Sequence, residues 1–272
     1  MKNGYDELYA YICQYINLNN FENIFTENII RQECNRNGFD NYIDYLCFLK
    51  RNISGLNFLE SCFSVSYSKF YRNRFTYEVL RLVILSHFSN EYYQYNEVRI
   101  WSAGCAKGEE PYSIAILYNE INQHRAEKLR FRIFATDKDE EVINNASKEG
   151  YIYSKNNISN LTVLELERYF ETDGVNYKIK SQLKENISFE KHNILDNNSK
   201  CPCESIYGGF QIIICSNVLI YYNAQVQARV LKMFRSCIST DGYLICDDSE
   251  REILIQNGFI EVYPHSCIFK KI

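Results

Sequence analysis

Residues 98–113 read VRIWSAGCAKGEEPYS. The apolar run 98–101 has the composition of a buried strand, and Ser102-Ala103-Gly104 breaks it with a turn of small residues. Gly108 then precedes Glu109-Glu110-Pro111, and apolar residues recur at helical spacing at Ile114, Leu117 and Ile121. Proline suits the first turn of a helix, and acidic side chains suit its positive end. Strand, glycine turn, helix is the unit by which an open α/β sheet offers backbone N–H groups to a ligand above its carboxyl edge.

The glycines are spaced G-x-x-x-G, with neither the GxGxxG nor the GK[ST] ending of phosphate-binding loops. Two carboxylates beside the turn repel a pyrophosphate and suit a ligand bearing an ammonium or a sulfonium, and S-adenosylmethionine bears both. The alternative is a solvated helix start whose acids merely complement the dipole.

Working outward, strand and helix alternate from residue 98 onward. A second strand over 131–136 ends at Asp137, placed either to accept the two ribose hydroxyls of a nucleoside or to cap the next helix, a role Asp139 also fits. That helix covers 140–149 and stops at Gly150. A helix over 161–170 is followed by Asp173-Gly174, a tight-turn signal between short strands at 169–170 and 177–179. With a strand at 187–189, this predicts a small antiparallel insert over about 169–190. Residues 211–215 form the most continuous β-branched run and hence a central strand, ending at Ser216-Asn217. A helix over 225–238, a strand at 243–246 leading into Asp247-Asp248-Ser249-Glu250, and two β-like runs at 259–263 and 267–269 complete an antiparallel edge.

Residues 1–90 read as a helical domain. Leu8, Tyr11, Ile12, Tyr15 and Ile16 form one apolar stripe, Thr26 is placed to cap a second helix, and Ile43, Leu46 and Leu49 mark a third. Arg31, Arg36, Lys50 and Arg51 put basic points on the polar faces: a solvated face, or a surface for an acidic partner. Residues 64–73, SVSYSKFYRN in the main, form a linker. It reads either as a loop whose aromatics plug the helical domain or as a lid carrying Arg72 over the mouth of the α/β domain of residues 91–272.

Composition bounds the rest. A chain of 272 residues with 46% hydrophobic residues builds one large α/β domain and a companion. A net charge of -4 argues against nucleic-acid binding. Eleven cysteines scattered through apolar segments read as reduced thiols. Cys201 and Cys203 are a lone close pair, so no metal site is expected. The start carries acids where a secretory leader needs bases, and the longest apolar run, 210–222, is short for a bilayer. The expectation is a cytoplasmic protein that is not membrane-embedded.

Several of these segments together resemble one family, the CheR chemoreceptor glutamate methyltransferases. WSAGCAKGEEPYS resembles its GCSTGEEPYS-type cofactor loop, and ATDKD (135–139) its ATDID. IICSNVLIYY (213–222) resembles IFCRNVLIYF, and SKFYRN (68–73) resembles T-x-FFR-[DE]. The order and spacing match from about residue 10 to the end. The resemblance implies a Rossmann-like S-adenosylmethionine-dependent methyltransferase domain with an all-helical N-terminal domain and a small antiparallel β insert. It further implies methyl transfer to glutamate side chains of methyl-accepting chemotaxis receptors, leaving S-adenosylhomocysteine.

By matching position, Asp137 would hold the ribose, and Glu109 or Glu110 the methionine end. Asn193 and Ile194 would lie beside the adenine. Ser66, Ser68 and Arg72 would reach the cofactor from the N-terminal side. Gly104, Ser216 and Asn217 would line it, and Tyr221 would flank the transferred methyl. Arg72 and Tyr221 are the catalytic candidates. The implied partners are the receptors' cytoplasmic helical region and, on the β insert, a receptor tail peptide; the implied state is a monomer. Ser216 stands where the family has arginine, Ser66 for asparagine, Lys107 for threonine, Gln211 for aspartate and Tyr71 for phenylalanine. Ser216 loses a five-donor cation, which leaves a catalytically weak or retargeted S-adenosylmethionine-binding relative as the alternative.

Overall fold

The computed structural model describes residues 4–64, 68–88, 97–196, 201–202 and 209–272. Two compact units emerge, one of Met1–Val65 with Ile220–Gln227, the other of Ser66–Leu219 with Ala228–Ile272.

The first unit packs four helices, α1 (Tyr5–Ile12), α2 (Asn23–Arg36), α3 (Tyr42–Arg51) and α4 (Ile53–Cys62). Leu8, Ile12, Ile30, Tyr45, Leu49 and Leu59 form its core. Asn41 caps α3 by accepting from Asp44 N at 2.9 Å, and Asn52 ends α3 and caps α4 by accepting from Gly55 N at 3.0 Å. Two sequence expectations change here. The apolar stripe runs past the helix: α1 ends at Ile12, and Tyr15 is exposed. Thr26 does not cap α2 but lies inside it, its hydroxyl donating back to Glu22 O at 3.0 Å. The segment 220–227 joins this unit through an antiparallel bridge between Phe21 and Tyr222, whose rings stack at 5.3 Å.

The second unit is built on a seven-stranded sheet. In chain order its elements are α5 (Arg74–Val83), β1 (Val98–Ala103), α6 (Glu109–Gln123), β2 (Phe131–Asp137), α7 (Glu140–Ser147), β3 (Ile152–Tyr153), α8 (Val163–Tyr169), β4 (Phe170–Thr172), β5 (Tyr177–Ile179), β6 (Ile187–Lys191), β7 (Phe210–Ile214), α9 (Ala224–Cys237, begun in the first unit), β8 (Ile238–Ile245), α10 (Arg251–Gln256), β9 (Phe259–Glu261) and β10 (Ile268–Lys271). The strand order is β6-β2-β1-β7-β8-β10-β9. The first five pair in parallel, and β10 runs antiparallel to both its neighbours. Trp101 on β1 is fully buried, its indole N–H donating to Thr136 Oγ1 on β2 at 2.9 Å. A buried indole of this size needs such a partner.

Three expectations move in this unit. The strand expected at 187–189 within the insert is β6 of the main sheet, pairing in parallel with β2 from Ile133↔Ile187 onward. The insert is instead β3-β5-β4, closed by the Asp173-Gly174 turn. Asp173 Oδ1 accepts from Val175 N and Asn176 N at 3.0 and 2.8 Å, which fixes that turn. Helix α5, read as part of a 1–90 domain, belongs to this unit because Leu80 and Val83 share a core with Ile114 and Leu117 of α6. Of the linker's aromatics, Phe70 and Tyr71 are described, and both are buried in the core of this second unit. Phe70 is fully buried with its ring against Tyr153 and Phe170 of the insert, at 5.1 and 5.3 Å.

Candidate cofactor site and family

The carboxyl ends of β1, β2, β7 and β8 carry the site. After β1 the chain turns through Gly104 (φ +83°) and Ala106 (φ +47°) to Gly108 (φ +92°), the N-cap of α6. Gly104 N and Cys105 N both donate to Thr136 O, at 2.8 and 2.9 Å, which ties the turn to β2. A Cβ at Gly104 would stand 2.6 Å from Val218 Cγ2, so only glycine lets the loop after β7 approach this closely.

Asp137 ends β2. Its Oδ2 accepts from Ala106 N at 3.0 Å and its Oδ1 from Asp139 N at 3.1 Å. The cap of α7 is Asp139, whose Oδ1 accepts from Glu141 N and Val142 N at 2.9 and 3.3 Å. Asp137 is therefore released from the capping role and oriented by the glycine turn. Burial raises its pKa, and the two backbone donors hold it back.

The paired acids face different surroundings. Glu109 is fully buried: Oε1 accepts from Asn157 Nδ2 at 2.9 Å, and Oε2 has no partner. The same amide donates to Ser68 O at 3.2 Å, so Asn157 ties residue 68 to the start of α6. Glu110 is half-buried. Ser102 donates to its Oε1 at 2.5 Å, Ser216 also hydrogen-bonds it, and Arg72 faces it. Burial pushes both acids up to about 7; at Glu110 the negative Glu250 adds to the rise, while Ser102, Ser216 and Arg72 oppose it.

The loop after β7 holds Asn217 at φ +60°, with its Oδ1 buried and unpartnered. Residues 71–73 lie against α6, where Tyr71 N donates to Ser113 Oγ at 3.0 Å. Past β6, Asn193 is exposed and Ile194 is buried. Thus Ser68, Arg72, Gly104, Glu109, Glu110, Asp137, Ser216 and Asn217 gather within the second unit. Tyr221 belongs to the first unit, where its ring packs on Phe25 at 4.8 Å. Ser66 and Cys203 lie outside the described residues. Asn157, Ser102 and Glu250 were not among the site residues expected from sequence, although Ser102 lies in the small-residue stretch that ends β1 and Glu250 in the acidic run after β8.

The residues present fit S-adenosylmethionine. A carboxylate oriented at the end of β2 suits vicinal hydroxyls, and an acid at the α6 N-terminus suits an ammonium. A mostly parallel sheet with these groups above its carboxyl edge suits a methyltransferase of the S-adenosylmethionine-dependent class. The family model "CheR methyltransferase, SAM binding domain" matches residues 66–262. The chemotaxis protein methyltransferase of Borreliella burgdorferi is 30% identical over 240 residues, covering 86% of this chain and 82% of that protein. That of Salmonella typhimurium is 29% identical over 221 residues (78% and 70%), and Cher2 of Pseudomonas putida is 31% identical over 183 residues (66% and 64%). The chain belongs to the CheR methyltransferase family, and its cofactor is S-adenosylmethionine. Among the described residues no helix is long and apolar enough to cross a membrane.

Proposed function

We propose that this protein transfers the methyl group of S-adenosylmethionine to glutamate side chains of chemotaxis receptors. The observation that carries the reading is the half-buried Glu110, flanked by Ser102, Ser216 and Arg72, one strand away from the oriented Asp137. When bound, the cofactor supplies a methyl group made electrophilic by its sulfonium.

The chain's own residues divide the work. Asp137 accepts the ribose hydroxyls on the lone pairs that Ala106 and Asp139 leave open. Glu110 rather than Glu109 holds the ammonium: Glu109 is sealed beneath Asn157, whereas Glu110 keeps open surface. Arg72 beside it takes the adjacent carboxylate of the same amino-acid end. Gly104, Ser68, Ser216 and Asn217 line the cofactor, and Asn193 and Ile194 flank the adenine. A substrate glutamate is already ionised near neutral pH, so the protein needs no general base. Its task is to align the acceptor oxygen and exclude water.

The partner is the receptors' cytoplasmic helical region, met in the cytoplasm by a monomer. A receptor tail peptide adds as a strand to an edge of the β3-β5-β4 insert. The test is incubation with methyl-labelled S-adenosylmethionine and receptor-containing membranes. Label on receptor-sized bands is expected, lost when acceptor glutamates are changed to alanine. Bands without label would contradict the reading.

A further inference from the structure

Glu250 stands outside every motif that marks the site. It closes a short 3-10 turn, Asp248–Glu250, at the carboxyl end of β8, and its side chain is fully buried. Oε1 accepts from Val218 N and Leu219 N, both at 2.8 Å; Oε2 accepts from Asn217 N at 2.9 Å and Asp247 N at 3.1 Å. Among the described residues it forms no ion pair. A buried carboxylate without a cation is costly: burial raises the pKa of Glu250, and the four backbone N–H donors oppose that rise.

Three successive N–H groups converge on one carboxylate only when the backbone curls around it, as in an anion-binding nest. The curl is visible in Asn217, a non-glycine residue at φ +60°. Here the anion comes from the neighbouring strand of the same sheet. The loop so curled presents Ser216 to Glu110 and sets Val218 against Gly104. Glu250 thus reaches the cofactor side of the sheet without touching it.

We propose that Glu250 is a positioning residue for methyl transfer: its carboxylate shapes residues 217–219 and so places Ser216 and Asn217 beside Glu110. This rests on the reading of Glu110 as the group that holds the ammonium. A purely structural buried acid would stabilise the fold and leave the cofactor contacts of folded molecules alone.

Two variants separate these roles. Glu250→Gln keeps the size of the side chain but turns one acceptor oxygen into a donor against the loop. Leu254→Ala empties a fully buried position one turn further along. Both are expected to lower the melting temperature. Calorimetric titration with S-adenosylhomocysteine is expected to show about a tenfold or greater loss of affinity for Glu250→Gln and less than about a twofold change for Leu254→Ala.

The pH profile reads the charge of Glu250 through Glu110. Glu110 is faced by the Ser102 and Ser216 hydroxyls, the Arg72 guanidinium and the Glu250 carboxylate, with Tyr77, Cys105 and Cys215 further off. Burial raises the pKa of all three of the latter, so between pH 6 and 8 they stay neutral. Removing the Glu250 charge should therefore move the pH midpoint of affinity downward. Hydrogen exchange on the unliganded wild-type protein needs no variant: the amides of 217–219 should be protected. Amides exchanging like an open loop, or a Glu250→Gln protein that binds like Leu254→Ala, would overturn the proposal. Wild-type binding in the same titration shows that such a result counts against Glu250 and not against the cofactor reading.

Discussion

On the proposed reading, Glu110 sets the pH behaviour of the site. Its folded pKa of about 7, like that of Glu109, lies above the value of an exposed glutamate. The folded state therefore binds more protons than the unfolded chain between those values. The stability these groups contribute is fully present below the unfolded pKa and is lost as pH rises through about 7. Cofactor affinity runs the other way, because only the charged acid attracts an ammonium. From pH 8 to pH 6 the free protein's melting temperature should rise from this source, while S-adenosylhomocysteine affinity should fall about tenfold. Glu110→Gln should raise the melting temperature at pH 8 and both weaken and flatten the binding profile. A variant that binds like wild type at pH 8 would exclude Glu110 from the ammonium contact. Asp137 and the acid pair were legible because each ends a strand or starts a helix, positions that short-range pattern marks. The different burial of Glu109 and Glu110 was not, since Asn157 seals Glu109 from 48 residues away. No spacing rule connects such a pair.

At the scale of elements, the turn between β1 and α6 works because two approaches coincide at Gly104. Gly104→Ala should cost about 1–2 kcal/mol for the left-handed backbone alone, and should also push Val218 away and weaken S-adenosylhomocysteine binding. Thr162→Ala supplies the contrast. It removes the capping box between Thr162 and Glu165 at the start of α8 and should cost about 1 kcal/mol in thermal or denaturant unfolding with binding unchanged. Equal binding losses in the two variants would contradict the special role of the turn. The main parallel strands were readable as apolar runs. The insert was misread at its edge: 187–189 and 177–179 are both short, and only pairing with β2 or with β3 and β4 tells them apart. Register is a tertiary fact, as is the membership of α5, whose apolar stripe reads the same whichever core receives it.

For the whole molecule, the family match begins at residue 66, where the second compact unit begins. The first unit carries Arg31, Arg36, Lys50 and Arg51 on exposed faces. Changing Arg31 and Arg36 together to glutamate should lower methylation of receptor-containing membranes several-fold and leave S-adenosylhomocysteine affinity within about twofold. Unchanged methylation would remove receptor docking from that surface. The most direct measurement of the central claim is the chemistry of the product bond. Receptors labelled from methyl-labelled S-adenosylmethionine would be treated with mild base and the volatile fraction counted. A glutamate methyl ester releases its label as methanol, which is the predicted result. Label that stays on the protein through base would mean methylated nitrogen, and would contradict transfer to a carboxylate.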